Sequence, residues 1–235
     1  MEKAKDDSLI IENLEEILSI LRHELGNPIN SLKITLDVLK ESYDFFDDVK
    51  KKAYLRRASE LLARQEKLIE AMKFYSKFKV RKQKDIAFLP FWESFSAMAT
   101  NKLKEENIKL INNIDARPCH IKVDNQALNN VMTNILNNAI EAVKEVDEPE
   151  IELNTLKKNN FIMISMKDNG LGIKKNLMSK IFIPLYTTKP GKLGMGLPIA
   201  RKLSFEMDGR IEIESKFGSG AEARLWFKTQ DYHEG

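Results

Sequence analysis

At 235 residues, 43% hydrophobic and 31% charged, the chain suits a soluble protein of one large or two small domains with a real core. Its net charge of +3 is too small for this length to argue for nucleic acid, and clusters such as Lys50-Lys51-Lys52 read as solvated helix faces. One cysteine, Cys119, excludes an intrachain disulfide and a Cys-rich metal site, three histidines argue against a His-based zinc centre, and no apolar run reaches the ~18 residues of a membrane span.

Residues 1–10 form a polar tail without the apolar core of a secretion signal, so the expected location is cytoplasmic. From about 11 to 44, leucines at 14, 18, 21, 25, 32, 36 and 39, with Pro28, recur in steps of three and four, the seam of a long helix packed on other helices. His23 is off that seam, about 200° around the helix from Leu21, and is expected to point to solvent. Glu24 places a carboxylate beside the ring, able to accept the Nδ1 proton and leave Nε2 nucleophilic. Asn27 lies four residues on, hence on the face of His23, where its amide can orient a water or a phosphoryl oxygen. Pro28 costs a helix interior roughly 3 kcal/mol and Gly26 about 1 kcal/mol against Ala. Broken helix rules beside an exposed histidine point to function rather than packing.

Tyr43 to Asp48 read as a loop, and a second helix is expected from about 50 to 78, with Leu55, Ala58, Leu62, Gln65, Ile69 and Met72 on one stripe. Two such helices make an antiparallel hairpin, assigned to residues 11–82, whose apolar face is too wide for water. Pairing with a second copy gives a four-helix bundle, hence a homodimer; packing onto the following domain is the alternative. The charged stretch Lys77 to Lys84 is the expected linker.

A second domain is expected over 83–230, followed by a tail at 231–235. The pattern predicts a helix at 90–105, extended segments at Ile108–Ile111 and Cys119–Val123, and a helix from Asn125 to about Lys144 capped by Asp124 or Asn125. It then predicts strands at 151–155 and 161–166, a Gly- and Pro-containing segment at 168–196, a helix from Leu197 to Gly209, and strands at 210–214 and 223–227. The fold class is α+β: a helical hairpin, then a mixed sheet covered by helices on one face.

Three stretches of this domain carry candidate chemistry. In Asn134-Ile135-Leu136-Asn137-Asn138 the amides of Asn134 and Asn138 share a helix face; their carbonyl oxygens suit Mg2+ that also holds phosphates, against a plain solvated face. In Asp168-Asn169-Gly170-Leu171-Gly172 a strand-end carboxylate can accept a hydrogen bond from an exocyclic amine, against an ordinary turn. Thr187 to Leu197, with Thr188, Lys189, Gly194 and Gly196, is a glycine-rich segment opening onto a helix N-terminus, a phosphate-binding arrangement, against a surface loop. It is not a P-loop.

His23-Glu24-Leu25-Gly26-Asn27-Pro28 resembles the phosphoacceptor motif of sensor histidine kinases, and the three later stretches resemble, in order, the Bergerat-type ATP-binding domain that this family shares with gyrase, Hsp90 and MutL. The resemblance covers roughly residues 11–230. It implies that Asn138 holds Mg2+ with Asn134 in support, and that Asp168 recognises the adenine amine with Gly170 and Gly172 shaping the pocket. It further implies that Phe182 belongs to a lid motif, that Thr188, Lys189, Gly194, Gly196 and Leu197 meet the nucleotide, and that Gly218 and Gly220 form the last glycine motif. Gly26, Lys192 and Ala221 stand where the family commonly has a basic residue, glycine and threonine. The implied activity is ATP-dependent phosphorylation of His23, transfer to an aspartate of a response regulator receiver domain, and dephosphorylation of that regulator through Glu24 and Asn27. Two alternatives stand beside it: a non-phosphorylating ATPase of the gyrase or Hsp90 type, which carries Glu where this chain has Asn134, and a degenerate kinase serving as a dimeric scaffold.

Overall fold

The computed structural model describes residues 26–115, 119–189 and 192–230. It divides into two compact units, one holding the helices as far as Ser76 and the other beginning at Lys77.

In the first unit, α1 (residues 26–41) and α2 (Asp48–Lys77) are joined by a short turn. The Asp47 carboxylate accepts the Lys50 N–H at 2.7 Å and so caps α2, while the Phe46 ring stacks on Tyr54 at 5.3 Å and braces the turn. Pro28, Thr35 and Leu39 of α1 and Ala58, Gln65, Leu68 and Ala71 of α2 are buried. The stripe expected along α2 is therefore split. Its Ala58 and Gln65 side packs, whereas Leu55, Leu62 and Ile69 stay about half exposed, at 52%, 51% and 47%.

The second unit is a seven-stranded mixed sheet of order β1-β3-β7-β5-β4-β2, with β6 on β7. Its strands are β1 (Lys84–Ala87), β2 (Lys109–Asp115), β3 (His120–Val123), β4 (Glu150–Lys158), β5 (Phe161–Asp168), β6 (Arg210–Ser215) and β7 (Ala221–Gln230). The helices are α3 (Phe88–Glu105), α4 (Asn125–Ala142) and α5 (Gly196–Glu206), with a short 3-10 helix at Lys175–Lys180. β2 and β4 run parallel and the other pairs antiparallel, as the short turns near 151–166 and 210–227 lead one to expect. The two extended segments near 108 and 120 do not pair with each other: β2 lies on β4, while β3 joins β1 to β7. β1 begins at the last residue of the expected linker, Lys84, and is a strand that the sequence pattern does not predict.

Alternation sets the faces. Ile151, Leu153, Ile162, Ile164, Leu225 and Phe227 are buried and meet the helices, whose core is Trp92, Leu128, Met132 and Leu136. The opposite face carries polar pairs such as Lys167 with Glu152 at 3.2 Å and Arg224 with Glu214 at 2.8 Å. A one-sided core fixes the register, because a slip of one residue would turn these charges inward.

Residues 78–83 are irregular yet tied down. The Val80 N–H donates to Glu206 Oε2 at 2.9 Å, and the Arg81 and Lys82 N–H groups donate to Asp124 Oδ2 at 2.9 and 3.2 Å. The Gln83 amide donates to the Glu206 carbonyl at 2.9 Å. The other oxygen of Asp124 caps α4 through the N–H groups of Gln126 and Ala127, at 3.0 and 3.1 Å.

Candidate functional site

Asp168 ends β5 and is buried. Its Oδ1 accepts the N–H of Gly170 at 2.9 Å and of Ala221 at 3.3 Å, while no hydrogen bond among the described residues goes to Oδ2. One oxygen is thus anchored and the other is left for an incoming donor. Burial pushes the Asp168 carboxyl above the usual carboxylate range, and the two N–H groups and the charge of Lys189 offset only part of this.

The turn after Asp168 is fixed from three sides. Asn169 accepts the Glu150 N–H at 2.9 Å and donates to the Glu148 carbonyl at 2.7 Å. Ser215 accepts the Ile173 N–H and donates to the Gly220 carbonyl, both at 2.8 Å. Gly172 and Gly220 have φ of +64° and +84°, and a Cβ on Gly220 would strike the carbonyl of Asp168. Only glycine lets the β7 end approach that carboxylate closely enough for the Ala221 N–H to reach it.

α4 brings Asn134, Asn138 and Glu141 to one stripe, at intervals of four and three. The Asn134 Nδ2 donates to the Asn130 carbonyl at 2.9 Å, which turns Oδ1 outward. That oxygen and the Asn138 amide face Gly196, where an added Cβ would lie 3.4 Å from Asn134 Oδ1 and 3.6 Å from Asn138 Nδ2. Gly196 opens α5, whose first turn has no side-chain cap. Uncapped N–H groups at the positive end of a helix dipole, beside two amides, have the chemistry to hold a phosphate.

The glycine-rich segment places its cations here too. Lys189 Nζ lies 3.3 Å from Glu141 Oε2, and Lys192 makes an ion pair with Glu141 Oε1. Burial alone would raise the Glu141 carboxyl; the Lys192 and Lys189 ammonium groups outweigh it and hold the group below its ordinary value. Thr187 accepts the Lys189 N–H at 3.0 Å, leaving Thr188 exposed. Gly194 adopts a φ of +65° and Leu197 is half-buried in the first turn of α5. Arg201 lies over the Phe182 ring at 4.9 Å.

Of the sequence-derived candidates, Asp168, Gly170, Gly172 and Gly220 form one cluster, and Asn134, Asn138, Gly196, Leu197 and Lys189 a second; the charge of Lys189 is felt by Asp168 and Glu141 alike. Asn27 is exposed on α1, and His23 and Glu24 lie outside the described residues. Glu141 and Ser215 carry no role in the sequence reading. The signal for Glu141 was its place seven residues after Asn134, on the same stripe.

The donor set fits a nucleotide with Mg2+. The Asn138 amide has no hydrogen bond among the described residues, and an uncharged carbonyl oxygen beside a phosphate corner suits an ion that keeps its waters and its phosphates.

Comparison with known proteins agrees. The profile of the family described as "Histidine kinase-, DNA gyrase B-, and HSP90-like ATPase" matches residues 123–231, and that of the "His Kinase A (phospho-acceptor) domain" matches residues 13–79. Sporulation kinase C of Bacillus subtilis is 28% identical over 225 residues, which are 94% of this chain and 50% of that protein. The C4-dicarboxylate transport sensor protein DctB of Pseudomonas aeruginosa is 24% identical over 208 residues, 87% of this chain and 34% of the relative. The chain thus spans a third to a half of the length of these curated relatives. The crystal structure of histidine kinase ThkA in complex with the response regulator TrrA shares the fold, with a TM-score of 0.60 at 23% identity over 98% of this chain and 67% of that one. A phosphoacceptor profile over the helices, followed by the ATPase profile over the sheet that holds Asp168 and Asn138, places the chain among the two-component sensor histidine kinases, as a transmitter region of that family.

Proposed function

We propose that the chain is an ATP-dependent histidine autokinase that phosphorylates His23 and passes the phosphoryl group to an aspartate of a response regulator receiver domain. The observation that carries this is the amide at Asn134, turned toward the N-terminus of α5. A carboxylate there would serve as a base for water; an amide binds without activating, so the phosphoryl group is kept for another nucleophile. In this reading Asp168 Oδ2 takes the adenine amine, and the α5 N-terminus with Lys189 neutralises and holds the phosphates. Mg2+, held by Asn138 when present, supplies further charge neutralisation. Glu24 accepts the Nδ1 proton of His23, so Nε2 attacks the γ-phosphorus in line while the bond to the ADP oxygen breaks. Glu24 and Asn27 also suit regulator dephosphorylation, the amide of Asn27 orienting a water.

The half-exposed row Leu55, Leu62, Ile69, spaced by sevens, supports a homodimer built as a four-helix bundle. No helix among the described residues is long and apolar enough to cross a membrane. The site of action in this reading is the cytoplasm, where ATP and receiver domains meet.

The test is incubation with Mg2+ and γ-labelled ATP, wild type against His23→Gln. Acid-labile, base-stable label on the wild type and none on the variant is the expected result. Phosphate release from both without labelling would support the hydrolase alternative, and binding without turnover the scaffold.

A further inference from the structure

From the contacts of the two lysines we infer that Glu141 is a positioning residue that sets nucleotide selectivity: its carboxylate stands in for a phosphate, holding Lys189 and Lys192 beside Asn134 and Asn138 and giving them up to a triphosphate. This rests on the nucleotide-binding reading above.

Both oxygens of Glu141 are engaged, Oε2 by Lys189 at 3.3 Å and Oε1 by Lys192. Its side chain is only 16% exposed, against 41% and 58% for the two lysines, so the fixed partner is the glutamate and the movable ones are the cations. α4 holds it rigidly, one turn beyond Asn138 on the stripe that faces Gly196. An anion at that place does two things. It keeps two long, rotamer-rich side chains gathered at the phosphate corner, which lowers the entropy lost when a ligand orders them. It also competes for them, and a half-buried carboxylate beside a polyphosphate repels it.

The competition falls only on ligands that reach the lysines. Adenosine, held at Asp168, leaves both ion pairs intact. A triphosphate must exchange a carboxylate for its own oxygens, so it gains the difference between two ion pairs rather than their sum. Partly exposed pairs of this kind are weak, so the brake amounts to roughly threefold to tenfold in affinity.

The experiment measures binding to the full chain, by calorimetry for the Mg2+ complex of the non-hydrolysable β,γ-imido ATP analogue and by competition for adenosine. Glu141→Gln is isosteric and keeps hydrogen bonding while removing the charge. The expected result is about threefold to tenfold tighter analogue binding with adenosine affinity unchanged, a ratio that a purely structural role would not move. The gain should fall below about twofold when Lys189→Met and Lys192→Met are both present, because the brake acts through those cations. Weaker or equal analogue binding by Glu141→Gln overturns the proposal, as does a gain that survives loss of both lysines. Should the variant lose its thermal transition, Glu141→Asp, which keeps the charge on a shorter arm, is read instead: relaxed selectivity supports the proposal and wild-type selectivity opposes it. If the wild type binds neither probe, the nucleotide reading itself falls, and this inference with it.

Discussion

A carboxylate that is useful to a ligand costs the protein that carries it. Asp168 is buried with one oxygen satisfied by two backbone N–H groups, and its carboxyl is raised because burial disfavours the charge. A raised carboxyl contributes stability that is complete below the unfolded value near pH 4 and is lost as pH rises through the higher folded value. At pH 7 the ionised group is therefore a burden, and Asp168→Asn, which keeps an oxygen for Gly170 and Ala221, should raise Tm by about 2–4 °C. The gain should vanish on acidification toward pH 4. Nucleotide affinity should move the opposite way, falling roughly 30- to 100-fold with the loss of a charged acceptor. Thermal scans at pH 4 and pH 7 with an ATP titration check both; an unchanged affinity would remove Asp168 from the adenine site. The type of each residue here was readable in the sequence, but its reason was not. Gly220 matches a glycine motif by position, yet its work is to let β7 close on the Asp168 carbonyl, a contact between positions far apart in the chain.

Among the elements, Asp124 joins two jobs that the sequence shows only in half. Its role as the cap of α4 follows from an acidic residue before an apolar-periodic run. Its other oxygen holds the backbone of Arg81 and Lys82, and nothing local in a Lys- and Arg-rich stretch announces such a partner. Burial would raise the Asp124 carboxyl, but the N–H groups of Arg81, Ala127, Lys82 and Gln126 together bring it below its ordinary value. The tie is therefore present above about pH 4 and is lost as pH falls through the lowered folded value. Asn caps helices as well as Asp but presents an NH2 in place of the second oxygen. In Asp124→Asn, hydrogen exchange at Arg81 and Lys82 should accelerate by about fivefold to tenfold while Gln126 and Ala127 stay protected. Equal acceleration at both places would mean the helix cap was lost instead, and no change would mean the tie holds nothing. β1 escaped the sequence reading for a related reason. Lys84-Asp85-Ile86-Ala87 is four residues long, half of it charged, and becomes a strand only through its ladder with β3.

For the whole molecule, the division into a helical unit and a sheet unit was readable because their hydrophobic periods differ, near 3.6 in one and 2 in the other. The width of the apolar stripe on α2 was readable too, and the structure shows how it is shared out. One side, Ala58, Leu68 and Ala71, is buried; the other, Leu55, Leu62 and Ile69, is half exposed. On a helix these three positions recur every seven residues, so they stack along one line rather than scatter, and scattered exposure would need no explanation. In the proposed homodimer a second copy would offer the matching line, because a two-fold axis sets each stripe against its own kind. A charge in the middle of that line should be worse than one at its edge, since Leu62 has an apolar neighbour a heptad away on either side. Light scattering during gel filtration should find the wild type at twice its 27.1 kDa and Leu62→Glu at the single mass. Leu62 belongs to the helical unit, so the variant should still bind the ATP analogue with the affinity of the wild type. A wild type at 27.1 kDa would remove the dimer from the proposal, whereas a Leu62→Glu protein that stays dimeric would place the seam on another face of the hairpin.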